Sequence, residues 1–443
     1  MAGMLMPDEA RRAAEVIRHA DIVIGIPSYN NARTIGHVVR AVYAGLAKYF
    51  PQLTAVVINS DGGSTDNTSD AVLSARVEDS HLMLLSTPLL AAHRLSFPYH
   101  GVPGKGSAFR LVFQMARQLD AKACAVVDSD LRSITPEWID LLLRPILFAN
   151  FDFVAPYYQR HKYDGTITNS IVYPLTRMLY GVSVLQPIGG EFGISARLLR
   201  RYLDRQDWET DVARFGIDIW MTIVAIAEGH SVCQSFLGAK LHDAKDPGSL
   251  SAMLEQVVGS VFTLMQEYAP VWQGRAGSTP AELFGFRFDV GLDPISVNVD
   301  RMVQAFRRGC EDLGEIWETT LDKRTFAAVR SLGNNSAERG EAFHLDDELW
   351  AEVVFDFACA YQKHPIERGV ILRSLTPLYL ARVASFVRDT ENLVAAEVED
   401  KIEQLCLTFE SLKPSLVSRW NGDPAQGDGS RAPQEMDKAN LEV

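Results

Sequence analysis

Asp128-Ser129-Asp130 sets two carboxylates at i and i+2 at the end of the apolar run Ala123–Asp128. Such a pair can hold one hard divalent cation, Mg2+ or Mn2+, which takes carboxylate oxygens and keeps positions open for a diphosphate. A cation there would offset charge building on a departing nucleoside diphosphate. The same triplet also suits an Asp turn or a helix N-cap; its place just past a buried strand favours the metal. Ser60–Asp66 is a Gly-Gly loop around Asp61. Its glycines let backbone approach a base or ribose, and Asp61 can accept from a base N–H or a ribose hydroxyl, although a plain turn needs the same residues. Lys105 stands between Gly104 and Gly106, where a loop lysine can meet phosphate or base and close on binding, or stay solvated. In Gln186–Phe192, Gly189 and Gly190 would let a sugar ring lie against backbone while Glu191 bonds hydroxyls; a turn between elements is the other reading. Asp218 opens an apolar helical stretch as a cap or a sugar-binding carboxylate. His242 follows an apolar run, placed as a further metal ligand or as a structural histidine.

These residues need a scaffold, and the first half of the chain supplies one. Apolar runs at 21–27, 54–60, 81–86, 123–128 and 151–156 read as buried strands. Between them, Ile35, Val38, Val39, Val42 and Leu46 share one face of a helix over 33–49, with Asn30 or Asn31 as its N-cap. A Pro- and Gly-rich loop over 88–106 precedes a helix at 106–119, and Pro136 starts a helix that runs to 148. Strands alternating with helices imply an α/β fold with a mostly parallel, Rossmann-like sheet flanked by helices. Ligands of such sheets collect beyond the carboxyl ends of the strands. The segments after the strands at 21–27, 54–60 and 123–128 should therefore converge.

Beyond 249 the pattern becomes helical. Met253, Val257, Val261 and Met265 repeat at i+4, and 296–332, 345–363 and 371–412 also read as helices, with no strand. From 421 the apolar content collapses, as in a disordered tail. The expected organisation is a leader at 1–19 holding a helix turn or two, an α/β domain at 20–248, a helical region at 249–420 and the tail at 421–443.

Composition sets limits. The chain has 443 residues, of which 47% are hydrophobic, enough for a real core. The net charge of −13 argues against a nucleic-acid footprint, though a local pocket can still bind a small anion. No uncharged apolar run reaches the ~18–20 residues of a bilayer span, and the charged start is unlike a secretory signal. Cys124, Cys233, Cys310, Cys359 and Cys406 are scattered; they read as small hydrophobes in a reducing compartment, so a cytoplasmic location is expected.

The order Pro-Ser-Tyr-Asn-Asn (27–31), Ser60–Asp66, Gly104-Lys105-Gly106 and Asp128-Ser129-Asp130 resembles the GT-A type glycosyltransferases of family 2. The segments 128–131, 165–175, 186–192, 215–219 and 237–242 are more similar to the retaining glucosyl-3-phosphoglycerate synthases and glucosylglycerate synthases of family 81. The resemblance covers about residues 20–245. It implies a nucleotide pocket of Pro27, Ser28, Tyr29 and Asn31, with Asp61 and Lys105 near base or phosphates. It further implies Asp130 and His242 as metal ligands, Asp128 and Ser129 near ribose and phosphate, and Glu191 and Asp218 on the transferred sugar, beside Gly189 and Gly190. Gly165, Thr166 and Thr168 would face the acceptor carboxylate. Three positions depart from the family pattern: Asn31 stands for an acid, Asp218 for the usual Glu, and Thr166 for an Arg. A guanidinium fork is a natural phosphate partner, so its loss points to an unphosphorylated acceptor such as D-glycerate, unless Arg160, His161 or Lys162 substitutes.

The expected function is retaining transfer of glucose from UDP-, GDP- or ADP-glucose to glycerate or 3-phosphoglycerate, with Asp130, Glu191 and Asp218 as the central carboxylates and Mg2+ or Mn2+ bound. The expected partners are the nucleotide sugar and a small hydroxy acid, with a homodimer formed through the helical region. Two alternatives stay open: an inverting transferase with another sugar or polymer acceptor, and a nucleotide-sugar-binding protein without turnover.

Overall fold

The computed structural model describes residues 6–75, 92–99, 103–241, 250–288, 290–291, 295–335 and 343–422. In chain order, the first part comprises α1 (Asp8–Ile17), β1 (Ile22–Ser28), α2 (Ile35–Tyr49), β2 (Ala55–Asp61), α3 (Thr68–Ser74), β3 (Ala92–Pro98), α4 (Lys105–Gln118), β4 (Ala123–Val126), α5 (Pro136–Phe148) and β5 (Phe153–Gln159). Then come α6 (Tyr173–Tyr180), β6 (Val182–Ser183), β7 (Phe192–Ser195), α7 (Ala196–Asp204), α8 (Ile217–Ala227), β8 (Val232–Ala239), α9 (Ser251–Glu267), α10 (Ala269–Gln273), β9 (Thr279–Pro280) and β10 (Glu282–Phe284). The remainder is helical: α11 (Val299–Asp312), α12 (Gly314–Thr320), α13 (Lys323–Asn335), α14 (Asp347–Lys363), α15 (Arg368–Thr390) and α16 (Ala395–Asn421).

Eight strands form one sheet in the order β10-β8-β5-β7-β4-β1-β2-β3. All neighbours are parallel except β7, which runs antiparallel between β4 and β5 with Ile194 opposite both Cys124 and Phe153. Because side chains alternate across a strand, β1 feeds two cores. Ile22, Ile24 and Ile26 pack with α2 and α5 on one face. Val23 joins the opposite core, which runs from Val126 of β4 through Ile219 of α8 and Phe262 of α9 to Leu378 of α15. The C-terminal helices therefore cover one face of the sheet. Trp350 of α14 ties them to the segment before α6, its indole N–H donating to the Ser170 carbonyl at 2.6 Å.

Several expectations need correction. The expected strand at 81–86 lies outside the described residues. The sheet instead takes its edge strand from Ala92–Pro98, inside the expected loop at 88–106; Leu95 and Phe97 alternate weakly, and Pro98 can end an edge strand without a lost ladder bond. Neither Asn30 nor Asn31 caps α2, whose N-cap is Thr34; the Asn31 side chain is engaged elsewhere. β9 and β10 lie in the region expected to lack strands, and β10 extends the sheet beside β8. The expected helix at 371–412 is two helices, α15 and α16. The leader forms α1, ten residues long, with Ala10 and Ala14 buried in the main core. Of the expected tail, 423–443 lie outside the described residues.

Among the described residues, Arg368–Thr390 is long and apolar enough to cross a membrane, but its most apolar window is 78% buried within the fold, as in a core helix. The five cysteines are unpaired, and burial pushes the Cys310 and Cys359 thiols up to about 11.

Candidate active site

The segments after β1, β2 and β4 do meet at the carboxyl edge of the sheet. Ser28 and Asp61 are opposite each other in the β1–β2 register, and the Ser28 hydroxyl donates to Asp61 Oδ1 at 2.9 Å. Asp61 also accepts from the backbone N–H of Gly63 and Ser64 and from the Ser64 hydroxyl, at 3.0, 2.8 and 2.6 Å. Its carboxylate thus holds its own loop together. Asn31 Oδ1 accepts from the Tyr29 backbone at 3.0 Å and from the Ser129 hydroxyl at 2.9 Å. Thr34 donates to the Ser129 carbonyl at 2.8 Å. Ser129 is therefore clamped from both sides by the loop after β1, which fixes the backbone that carries Asp128 and Asp130. Pro27 is buried in β1, while the Tyr29 ring is 63% exposed at the edge of the sheet.

Beneath this edge lies a cluster of two lysines and three carboxylates. Lys105, the first residue of α4, pairs with Asp128 Oδ1 at 2.8 Å and Asp218 Oδ2 at 3.1 Å. Lys240, just past β8, pairs with Asp128 Oδ2 at 3.1 Å and with both Glu191 oxygens at 3.0 Å, and donates to the Gly189 carbonyl at 2.7 Å. The Tyr158 hydroxyl donates to Glu191. A lysine in the first turn of a helix opposes the helix dipole, so Lys105 depends on these carboxylates. Burial alone would lower it; the charges of Asp128, Asp218 and Glu191 prevail and hold it well above the ordinary range. Burial likewise acts against ionised Asp128, yet Lys105 and Lys240 keep its carboxyl far below the usual range. Glu191 is fully buried, and burial, with the Asp128 charge, lifts it to about 7 against the pull of Lys240. Asp218 is raised by burial. Its Oδ1 is buried with no hydrogen-bond partner among the described residues, a costly state that a hydroxyl of a ligand would relieve.

The glycine pair serves this cluster. Gly190 has φ +101°, and a Cβ there would stand 2.3 Å from Asp128 Oδ2 and 2.9 Å from Lys240 Nζ; at Gly189 it would meet Pro156 Cγ at 2.1 Å. In the direction a side chain would take at these two glycines stand the Pro156 ring, the Asp128 carboxylate and the Lys240 ammonium. Gly190→Ala is expected to lower turnover about 100-fold by displacing Asp128. The left-handed backbone adds about 1–2 kcal/mol of instability, a shift of a few degrees in Tm. Steady-state rates and a thermal melt check both, and a wild-type rate would mean the cluster tolerates the intrusion.

The remaining expectations divide. Asp130 is half-buried at the same edge and makes no hydrogen bond or ion pair among the described residues. A free, hard carboxylate oxygen suits one ligand position of Mg2+ or Mn2+. His242 lies outside the described residues, and among those described no group of three His, Cys, Asp or Glu is placed to hold a metal. Gly165 and Thr168 line a neighbouring cleft. Thr166 does not: it is buried, with its hydroxyl against the Tyr379 hydroxyl. Residues two apart at a helix start point about 200° apart, so 166 and 168 cannot share a face.

Sequence reading missed Lys240, Tyr158 and Gln186 as site residues. Lys240 stands two residues before His242 past a strand, a period-2 signal that a single lysine does not announce. Gln186 accepts from the Tyr158 backbone N–H at 3.2 Å and donates to its carbonyl at 2.8 Å, and its Oε1 also accepts from Arg160 at 2.9 Å.

The class that fold and site define is a Rossmann-like α/β protein with a mostly parallel sheet, a helical C-terminal region and a lysine–carboxylate cluster at the strand ends. No family model matches the chain. It is similar to a glucosyl-3-phosphoglycerate synthase of Petrotoga mobilis, 23% identical over 263 residues, which covers 56% of this chain and 74% of that protein. Among solved structures, it is similar to glucosyl-3-phosphoglycerate synthase of Mycobacterium tuberculosis in complex with Mn2+, UDP and glucosyl-3-phosphoglycerate, at 22% identity and TM-score 0.42, covering 59% of this chain and 85% of that one. The complex of that enzyme with Mn2+, UDP-glucose and phosphoglyceric acid has the same identity and TM-score, covering 61% and 85%.

Proposed function

We propose that this chain is a metal-dependent glycosyltransferase that moves glucose from a nucleoside-diphosphate glucose to glycerate or 3-phosphoglycerate with retention of the anomeric configuration. The observation that carries the proposal is the buried Lys105–Asp128–Lys240–Glu191–Asp218 cluster at the ligand-binding edge of the sheet, with the orphaned Asp218 Oδ1 inside it. Asp218 and Glu191 are suited to accept sugar hydroxyls, and Lys105 to oppose phosphate charge. The Petrotoga relative supports glucose and a glycerate-type acceptor by its name.

Asp130 fits a divalent ion, with His242 as the second expected ligand. Such an ion supplies charge stabilisation to a diphosphate. The protein's share is positioning and a preorganised field. In the reaction, the bond from the anomeric carbon to the diphosphate oxygen breaks. A bond to the acceptor hydroxyl oxygen forms on the same face, and the hydroxyl proton passes to the departing phosphate oxygen. Retention suits a site in which Glu191 is held by Tyr158 and Lys240 and one Asp218 oxygen by Lys105, while the other Asp218 oxygen is left to accept a sugar hydroxyl.

The inverting alternative draws on one observation, the lift of Glu191 to about 7, which is where a general base works best. The test of both readings is nucleotide release from UDP-, GDP- and ADP-glucose with Mg2+ or Mn2+, against glycerate, 3-phosphoglycerate and simple sugars. Release that depends on acceptor, giving an α-product by NMR, is expected. A β-product favours inversion, and no consumption of any donor removes the transferase reading.

A further inference from the structure

Beside the lysine–carboxylate cluster lies a cleft of about 570 Å3, a volume suited to a small ligand. Tyr158, Arg160, Gly165 and Thr168 form its near wall, and the first turns of α16 form its far wall. The far wall is bolted to α6. Arg177 donates to Glu403 at 2.5 and 2.8 Å and to Glu410 at 2.8 Å. Lys413 Nζ donates to the carbonyls of Met178, Leu179 and Arg275 at 2.7, 3.2 and 2.8 Å. α16 is thus a fixed boundary of the cleft.

The charges in this cleft are unequal in availability. Three cations, Arg160, Lys162 and Arg287, face four carboxylates, Asp164, Glu399, Asp400 and Glu403. Arg287 is paired with Glu399 at 2.8 Å. Lys162 is committed to the carbonyls of Thr390, Glu391 and Leu393 at 2.5, 2.9 and 3.1 Å. His161 is held towards its neutral form by burial and by the Lys162 charge, and its Nδ1 accepts from the Tyr163 backbone at 3.2 Å. Arg160 differs: its guanidinium lies over the Tyr158 ring and bonds only Gln186, with no carboxylate partner among the described residues. Thr168, 2% exposed and lining the same cleft, has a hydroxyl without a partner among the described residues. One guanidinium fork and one hydroxyl match a single carboxylate. A second anionic group would find Lys162 and Arg287 already engaged and would face α16, where Glu399 and Glu403 are paired but Asp400 has no ion-pair partner among the described residues.

We infer that α16 is the specificity wall of the acceptor site: Arg160 admits a singly charged hydroxy acid, while Asp400, with Glu399 beside it holding Arg287, turns away an acceptor that also carries a phosphate dianion. This rests on the sugar-transfer reading above and chooses between its two acceptors. Unit charges across a partly solvated cleft interact strongly enough to change affinity about tenfold per charge removed.

The test compares kcat/KM for glycerate and 3-phosphoglycerate with the same glucose donor, in the full chain and in Glu399→Gln and Glu399→Gln/Asp400→Asn variants. Glu399 is 55% exposed, so these changes spare the core, and a thermal melt verifies that. The wild type is expected to favour glycerate, with the ratio moving about tenfold or more towards 3-phosphoglycerate in the double variant. A wild type that prefers 3-phosphoglycerate, or a ratio unmoved by the double variant, overturns the inference. Failure to consume or hydrolyse any nucleoside-diphosphate glucose instead overturns the transfer reading on which it stands.

Discussion

Lys240→Met is expected to cut turnover by about three orders of magnitude and to move the acid limb of the pH–rate profile to higher pH. Lys240 is the hub of the cluster, touching Asp128, Glu191 and the Gly189 carbonyl. Without it, three carboxylates share Lys105 alone. Removing one partner of a buried ion pair costs about 3–5 kcal/mol because the other charge is stranded. Glu191 has an easier escape. Burial already holds it up at about 7, and Lys240 is the main influence pulling it down. Loss of that pull raises it further, so Glu191 takes up a proton and its charge vanishes. The sign follows: if the carboxylate form holds the sugar, activity falls as pH drops through the Glu191 value, and in the variant this fall begins at higher pH. Lys240→Arg keeps the charge and should restore the profile even where its bulk lowers the rate. A Lys240→Met protein with the wild-type rate and profile would show that the cluster is scaffolding only.

The sequence made some of this cluster legible and concealed the rest for a physical reason. Asp128 and Asp130 stand out because their spacing follows an apolar run, and strand alternation with helices then places that run at the ligand edge. Lys105 was marked by its flanking glycines. Lys240 carried no such mark. Its role comes from four chain segments, ending at 105, 128, 191 and 218, that meet only after the sheet closes. β7 was also hidden, because four residues are too few to show a period, and an antiparallel insertion into a parallel sheet has no local signature. It matters here, since β7 begins directly after Glu191 and so aims that carboxylate between β4 and β5. The acceptor side was legible in composition and not in direction. Gly165, Thr166 and Thr168 read as one motif, whereas helix geometry sends Thr166 into the core against Tyr379 and leaves Thr168 facing the cleft.

Those same loops make a second prediction concrete. Asp130→Ala is expected to lower turnover at least about 100-fold and to abolish the thermal stabilisation by Mn2+ with UDP that the proposed reaction predicts for the wild type. Asp130 is set apart from Asp128 by its partners. Asp128 spends both oxygens on lysines, whereas Asp130, one peptide beyond the clamped Ser129, has no partner among the described residues. Its substitution therefore breaks no contact within the fold, and the ligand-free Tm should stay within about 2 °C of wild type. Binding at 100-fold over Kd stabilises a protein by about 2.7 kcal/mol, several degrees for a domain of this kind. The variant should lose that increment while keeping its basal melt. This separation distinguishes a lost ligand from a damaged fold, which a rate measurement alone cannot do. Equal stabilisation of both proteins by Mn2+ and UDP would move the cation away from Asp130 and remove the metal-dependent form of the proposed reaction.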